Sequence, residues 1–336
     1  MPGRDGAVKS EAEGKMSRGI PNRRSATALR RAREGSGIRT ILVALFANVA
    51  IAIAKVMGGL ISGSTGMLAE AAHSAADSVN EIFLALGLHR DRQPADEEHP
   101  FGHGRERFLW AFMAAIASFL IGGCLSIALA VAKLKTHDPV SGGLTAWIVL
   151  GVAFVAEGAS WLQSVGQARR QAKEYQLTLW AYIARTSDPV VRAVLVEDSA
   201  ALVGLCIAAT GLLLSEILGT SVPDSIASLI IGVLLAVTAF ALAWPFADFL
   251  VGRSLPPQEL DRLHAMVKAD KAIEQILSLR AIYSGPEEVW VMAKVHPSAR
   301  LSIEELAVAM DDLDNRIRLA LPYVADVFID VTATKV

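Results

Sequence analysis

Long apolar stretches recur along the chain with short polar breaks between them. A helix needs about 20 mostly apolar residues to cross a bilayer core. Windows at about 40–61, 66–88, 107–133, 144–167, 190–216 and 224–250 approach that length. The second window is different, because a polar stripe runs through it: Glu70, His73, Ser74, Asp77, Ser78, Asn80 and Glu81. On a helix, His73 and Asp77 stand at i and i+4 and share one face. From about Leu255 the pattern changes. Pro256 and Pro257 open a short helix over about 257–270, where Pro in the first turn is tolerated. Two strand-like stretches follow at about 275–284 and 288–296, around a Gly285–Pro286 turn. Ser302 and Glu305 have capping-box spacing and start a helix to about Leu321, and a last strand covers about Val324–Thr332. The expected fold is a polytopic α-helical membrane protein with six transmembrane helices and a C-terminal α+β, ferredoxin-like domain of αββαβ order. Its helices lie on one face of the sheet.

Composition agrees with this pattern. Of 336 residues, 53% are hydrophobic and 20% charged, and the mean hydropathy is +0.41. A soluble domain carries more charge. The net charge of −2 averages unlike parts. Residues 1–38 form a basic arm without apolar periodicity, read as a disordered cytoplasmic segment. Residues 39–252 form the membrane domain and 253–336 the cytoplasmic tail domain. The loop after the second window carries Arg90, Arg92, Arg105 and Arg107, and the loop after the fourth carries Arg169, Arg170, Lys173 and Arg185. The alternate loops carry no charge (62–65) or only acids (Glu216, Asp224); Lys133 and Lys135 dissent mildly. The positive-inside rule then puts both termini on the cytoplasmic side. High Ala and Arg content suits a bacterial plasma membrane. Cys124 and Cys206 lie in apolar stretches and read as small core residues. No phosphate-binding loop or HExxH motif is present, so neither an enzyme nor an organic cofactor is expected, and no nucleic-acid partner.

Ionisable groups at membrane depth cost about 2.5–3.5 kcal/mol each on insertion scales. An imidazole with a carboxylate is half a site for a divalent transition metal. The fifth window adds Glu197 and Asp198. Neighbours on a helix diverge by about 100°, so one faces the site and the other a nearby polar group. Asp198 is the first choice, because Ser199, Ala200 and Ala201 let another helix approach. Two ligands from the second window plus one or two from the fifth make a four-coordinate N/O site that suits zinc; iron(II), cobalt and manganese stay open. Lys55 and Glu157 form an ion pair, carry a proton or complete the site. Glu70 and Glu81 read best as charges at the two mouths, with ligand or proton roles open for Glu70. In the loop, Asp96, His99 and His103 converge on a metal or brace the next helix, and Pro100, Gly102 and Gly104 predict a turn. His264 and His296 are isolated in the tail domain and read as solvated or structural.

Together these residues resemble the cation diffusion facilitator family, the proton-coupled zinc, iron and manganese exporters. The resemblance runs from about residue 37 to the C-terminus. It is most specific in LAEAAHSAADSVNE at 68–81 and HPFGHGRERF at 99–108, and it includes FLVGRSLPP at 249–257. It implies a homodimer that exchanges a cytoplasmic divalent cation, zinc first, for protons across the bilayer. It also implies that His73, Asp77 and Asp198 are transport ligands and that Asp96, His99 and His103 form a loop metal site. The chain departs from the family at Val194, where a His or Asp is usual, and Glu197 is the nearest substitute. This Glu–Asp pair is similar to the zinc transporter 9-like branch. Leu277 and Asp330 stand where tail-domain histidines are common, which leaves His296 as the tail candidate. The competing reading is a membrane metal sensor that binds without transport; an intramembrane metallohydrolase lacks a motif.

Overall fold

The computed structural model describes residues 45–46, 48–136, 143–174, 177–185, 189–286, 288–298 and 301–333. The basic arm at 1–38 lies outside the described residues. Over its described residues, each apolar window coincides with a helix. These are α1 (Asn48–Ser62), α2 (Thr65–Arg90), α3 (Glu106–Lys135), α4 (Gly143–Glu174), α6 (Pro189–Leu218) and α7 (Val222–Val251), with a short α5 (Leu179–Arg185) between α4 and α6. Four of them, α3, α4, α6 and α7, are long and apolar enough to cross a membrane. The described part of α1 is shorter, and α2 carries the polar stripe. Large apolar side chains point outward, including Ile53, Val155, Val237 and Trp244. That inverted pattern suits lipid, where the helix satisfies its own backbone. Cys124 and Cys206 follow it too: both are exposed on helix surfaces rather than packed in the core.

Inside the bundle, Met67 and Ala69 of α2 pack with Leu205, Ala208 and Leu212 of α6 and Ile231 and Leu235 of α7. In α3 the helix loosens into a π-helical stretch at Ser118–Cys124. A Cβ at Gly123 would meet Ala236 at 3.0–3.2 Å, and one at Gly232 would meet the Ile127 backbone nitrogen at 2.9 Å. Small residues thus let α3 and α7 approach backbone to backbone.

Asp224, at the start of α7, is fully buried. Its Oδ1 accepts from Ser64 Oγ at 2.5 Å, and its Oδ2 from Thr65 N at 2.6 Å and Thr65 Oγ1 at 2.8 Å. The carboxylate therefore caps α2 from across the bundle, supplying an acceptor to helix N–H groups that have none of their own.

The tail domain contains α8 (Pro257–Lys268), β1 (Ile273–Gly285), β2 (Glu288–Pro297), α9 (Ile303–Ala320) and β3 (Val324–Val331). The sheet order is β1-β2-β3. β1 and β2 are antiparallel, with Ala281 opposite Val291, and β2 and β3 are parallel, with Val291 opposite Val327. Val289, Val291, Ala293 and Val295 share one core with Leu263 and Val267 of α8 and Leu313 and Ile317 of α9. The expected capping box forms: Ser302 Oγ accepts from Glu305 N at 3.2 Å and Glu305 Oε2 from Ser302 N at 2.8 Å. The junction after α7 is stitched to β1 by the Tyr283 N to Arg253 O bond at 3.1 Å.

Candidate metal centre

Among the described residues one group of three close metal donors stands out, in the α2–α3 loop. Among the helices the donors approach as a pair, His73 with Asp77, without Glu197 or Asp198 joining a close group. Helical periodicity sets the pair. His73 Nδ1 lies 3.5 Å from Asp77 Oδ1, one turn along α2. Both residues are largely shielded, and His73 Nε2 and Asp77 Oδ1 are buried without a hydrogen-bond partner. Such orphaned polar atoms are rare in interiors.

The acids of α6 lie on two neighbours. Glu197 Oε2 accepts from Asn80 Nδ2 of α2. Asp198 Oδ2 accepts from Ser164 Oγ at 2.9 Å and Ser160 Oγ at 3.1 Å, both on α4. Ser160 and Ser164 are four apart and present one face. The helix divergence between adjacent residues is therefore used: Glu197 turns to α2 and Asp198 to α4. One oxygen of each acid is held by a neutral donor, as second-shell groups hold metal ligands. Glu81 follows the same rule, its Oε1 accepting from Asn48 Nδ2 at 2.9 Å.

Glu70 is not exposed, as a charge at an open mouth would be. It is fully buried, and Lys55 Nζ donates to its Oε2 at 3.2 Å and to Ser74 Oγ at 2.8 Å. Lys55 also pairs with Glu157 Oε1 at 3.5 Å, so the ion pair read from the sequence has three members rather than two.

The loop group is more compact. Asp96, His99 and His103 each bring a donor atom, all within 4.8 Å of one another. Gly102 sits at φ 80°, in the left-handed region, and its N–H closes a turn onto His99 O at 2.9 Å. Asp96 Oδ1 accepts from His99 N at 2.6 Å, which fixes the carboxylate. His103 Nε2 lies 3.1 Å from Asp96 Oδ2, and His103 Nδ1 lies 2.7 Å from Glu106 Oε1. Trp110 Nε1 donates to the other Glu106 oxygen at 3.1 Å. This is the carboxylate–histidine arrangement that orients a metal-binding imidazole. Glu106 was missed in the sequence, although its place three residues after His103 at a helix start was a usable signal.

The loop rests on the tail sheet. Phe101 packs on Trp290 with ring centroids 4.6 Å apart, and Arg105 lies 5.5 Å above the same indole. A Cβ at Gly104 would stand 2.8 Å from Ser284 O, so the loop backbone touches β1 directly. In the tail itself, His296 Nδ1 donates to Thr332 O at 2.9 Å, and its Nε2 is 3.8 Å from Glu274. Among the described residues, no group of three close metal donors includes it.

Hydrogen bonds from Glu106 first, and then from Asp96, hold the His103 pKa above its ordinary 6.5. The bond to His103 in turn pulls Asp96 below the usual carboxylate range. A metal bound at this site would displace the His103 proton, so its affinity would fall with falling pH, beginning above pH 6.5. Without metal the sign is opposite: the His103 contribution to stability is complete below 6.5 and is lost as pH rises through the raised value. Glu106→Gln is expected to weaken cobalt(II) binding about tenfold or more at pH 8, where only orientation matters. It also moves the acid loss to lower pH. Titration by cobalt absorbance reads both, and an unchanged pH profile contradicts the assignment.

A helical bundle with several helices apolar enough to cross a membrane, a buried His–Asp pair and a His–Asp cluster on its loop is the arrangement of a polytopic membrane protein with candidate metal donors. Residues 41–251 match the cation efflux transmembrane domain model, and the chain belongs to that family. It is 31% identical over 263 residues to the human Proton-coupled zinc antiporter SLC30A9, mitochondrial, covering 78% of this chain and 46% of the relative. It is 30% identical over 266 residues to Metal tolerance protein C4 of Arabidopsis thaliana, covering 79% and 58%. Against the Manganese efflux system protein MneP of Bacillus subtilis it is 26% identical over 252 residues, covering 74% and 80%. The chain spans about half the length of the first two relatives it matches.

Proposed function

We propose that the chain is a proton-coupled exporter of a divalent transition metal, zinc first, with iron(II), manganese and cobalt as other cargo. One observation carries the reading. His73 and Asp77 form a buried pair with orphaned donor atoms, in a helix bonded directly to the carboxylate-bearing α6. Names of similar proteins, a zinc antiporter and a manganese efflux protein, support the cargo class. Family membership supports a transporter rather than an enzyme.

His73 and Asp77 hold the metal from α2, and Asp198, with Glu197, from α6. Metal binding needs a neutral imidazole and ionised carboxylates, so loading releases protons. Reprotonation from the other side then expels the ion, with access alternating as helices tilt around the site. All six helices span the bilayer, with the polar α2 shielded by its neighbours. The basic loops put both termini on the cytoplasmic side, in a bacterial plasma membrane. Asp96, His99 and His103 bind a further metal at the loop. The chain works as a homodimer, supported by Ile303, Val308 and Leu319, which α9 leaves exposed on a small tail domain.

Reconstituted into liposomes, the protein is expected to move zinc faster than manganese, iron(II) or cobalt, since a four-donor N/O site favours zinc. Glu197→Gln tests the fourth ligand. Zinc affinity should fall about tenfold. An unchanged affinity removes Glu197 from the ligand set and leaves Asp198 as the sole α6 donor.

A further inference from the structure

Lys55 is fully buried midway along α1. Its ammonium meets three oxygens: Ser74 Oγ at 2.8 Å, Glu70 Oε2 at 3.2 Å and Glu157 Oε1 at 3.5 Å. Three N–H donors thus face three acceptors drawn from α2 and α4. Two carboxylates and a hydroxyl form a hard-oxygen seat, the donor set of a divalent cation rather than of one ammonium. Its charges do not balance, since one lysine faces two acids. Glu70 Oε1 is also buried without a partner. It presses against α6 at Gly204, where an added Cβ would overlap it. A purely structural ion pair is a poor explanation, because apolar packing of the same volume is commonly as stable.

The seat is close to the transport ligands. Ser74 directly follows His73, and Glu70 precedes it by three residues, so the ammonium sits within about one helical turn, about 5 Å, along α2. A divalent ion leaving His73 and Asp77 along that face meets this seat next.

We propose that Glu70, Glu157 and Ser74 form a second intramembrane cation seat, filled by the tethered Lys55 ammonium, which keeps the divalent cargo from lodging there. Lys55 is then a determinant of turnover, a fixed cation that spares the exporter a trap beside its own transport site. The inference rests on reading His73 and Asp77 as that site.

The test uses the full chain with His99→Ala and His103→Ala, which removes the loop site. Zinc and manganese binding are measured by calorimetry and flux in liposomes. Lys55→Met is expected to bind one additional divalent ion per chain, or to bind about tenfold tighter, and to turn over about tenfold more slowly. Lys55→Met/Glu70→Gln/Glu157→Gln removes the seat and its occupant together. It is expected to bind as the parent does and to transport within about threefold of it. Unchanged stoichiometry and affinity in Lys55→Met overturn the proposal. So does loss of flux in the triple variant, which would make the cluster a working part of transport. If Lys55→Met does not fold, the triple variant decides alone. The underlying transport reading fails separately, if the unsubstituted protein moves no metal.

Discussion

Asp77→Asn is expected to abolish metal-driven proton movement, a loss of about 100-fold or more, while the protein keeps its helical content. Asn has nearly the shape of Asp, so packing on α2 survives. What disappears is the anion proposed to hold a divalent ion and later take a proton. Asp77 is placed for that work. It stands 3.5 Å from His73 Nδ1, and its Oδ1 is buried with no hydrogen-bond partner. An Asn amide there is a weak, neutral donor set that does not compete with water for zinc. Zinc-loaded liposomes with an internal pH dye read the effect. Parent-like proton movement in Asp77→Asn would show that this aspartate is not a ligand.

Asp224→Ala is expected to be the most damaging substitution outside the metal sites, at about 3–5 kcal/mol. The carboxylate accepts from Ser64 Oγ, Thr65 Oγ1 and Thr65 N within 2.8 Å and is fully buried. Alanine leaves those donors unsatisfied at the start of α2, the helix that carries His73 and Asp77. Asp224→Asn keeps one acceptor oxygen and should recover part of the loss. Thermal unfolding in detergent, followed by far-ultraviolet circular dichroism, ranks the three proteins. An Asp224→Ala midpoint equal to the parent's would mean the cap does not hold α2.

Much of the architecture was legible because it follows from periodicity. Apolar runs of bilayer length coincide with helices, and the Ser302–Glu305 spacing gave the capping box seen at α9. Gly285–Pro286 marked the turn between β1 and β2. His73 and Asp77 could be paired from the sequence because one helix holds both. Partners on other helices could not. Asp224 read as a loop acid, yet it caps a helix 160 residues away. Glu70 read as a mouth charge, but Lys55 encloses it. Ser160 and Ser164 were visible as polar positions, and only the approach of α4 to α6 shows that they hold Asp198. The cysteines read as core residues, because apolar surroundings in sequence do not separate a packed face from a lipid-facing one. Chain periodicity encodes which face a residue takes, while its partner across the bundle depends on how the helices are arranged.

The central claim, coupled exchange of metal for protons, is tested most directly with the parent protein in sealed liposomes under an imposed zinc gradient. Internal zinc and internal pH are recorded together, without ATP. The account predicts that zinc entry drives protons outward, and that an opposing pH gradient stops zinc entry. Saturable zinc binding with no zinc or proton flux would contradict it and identify the chain as a metal-binding sensor.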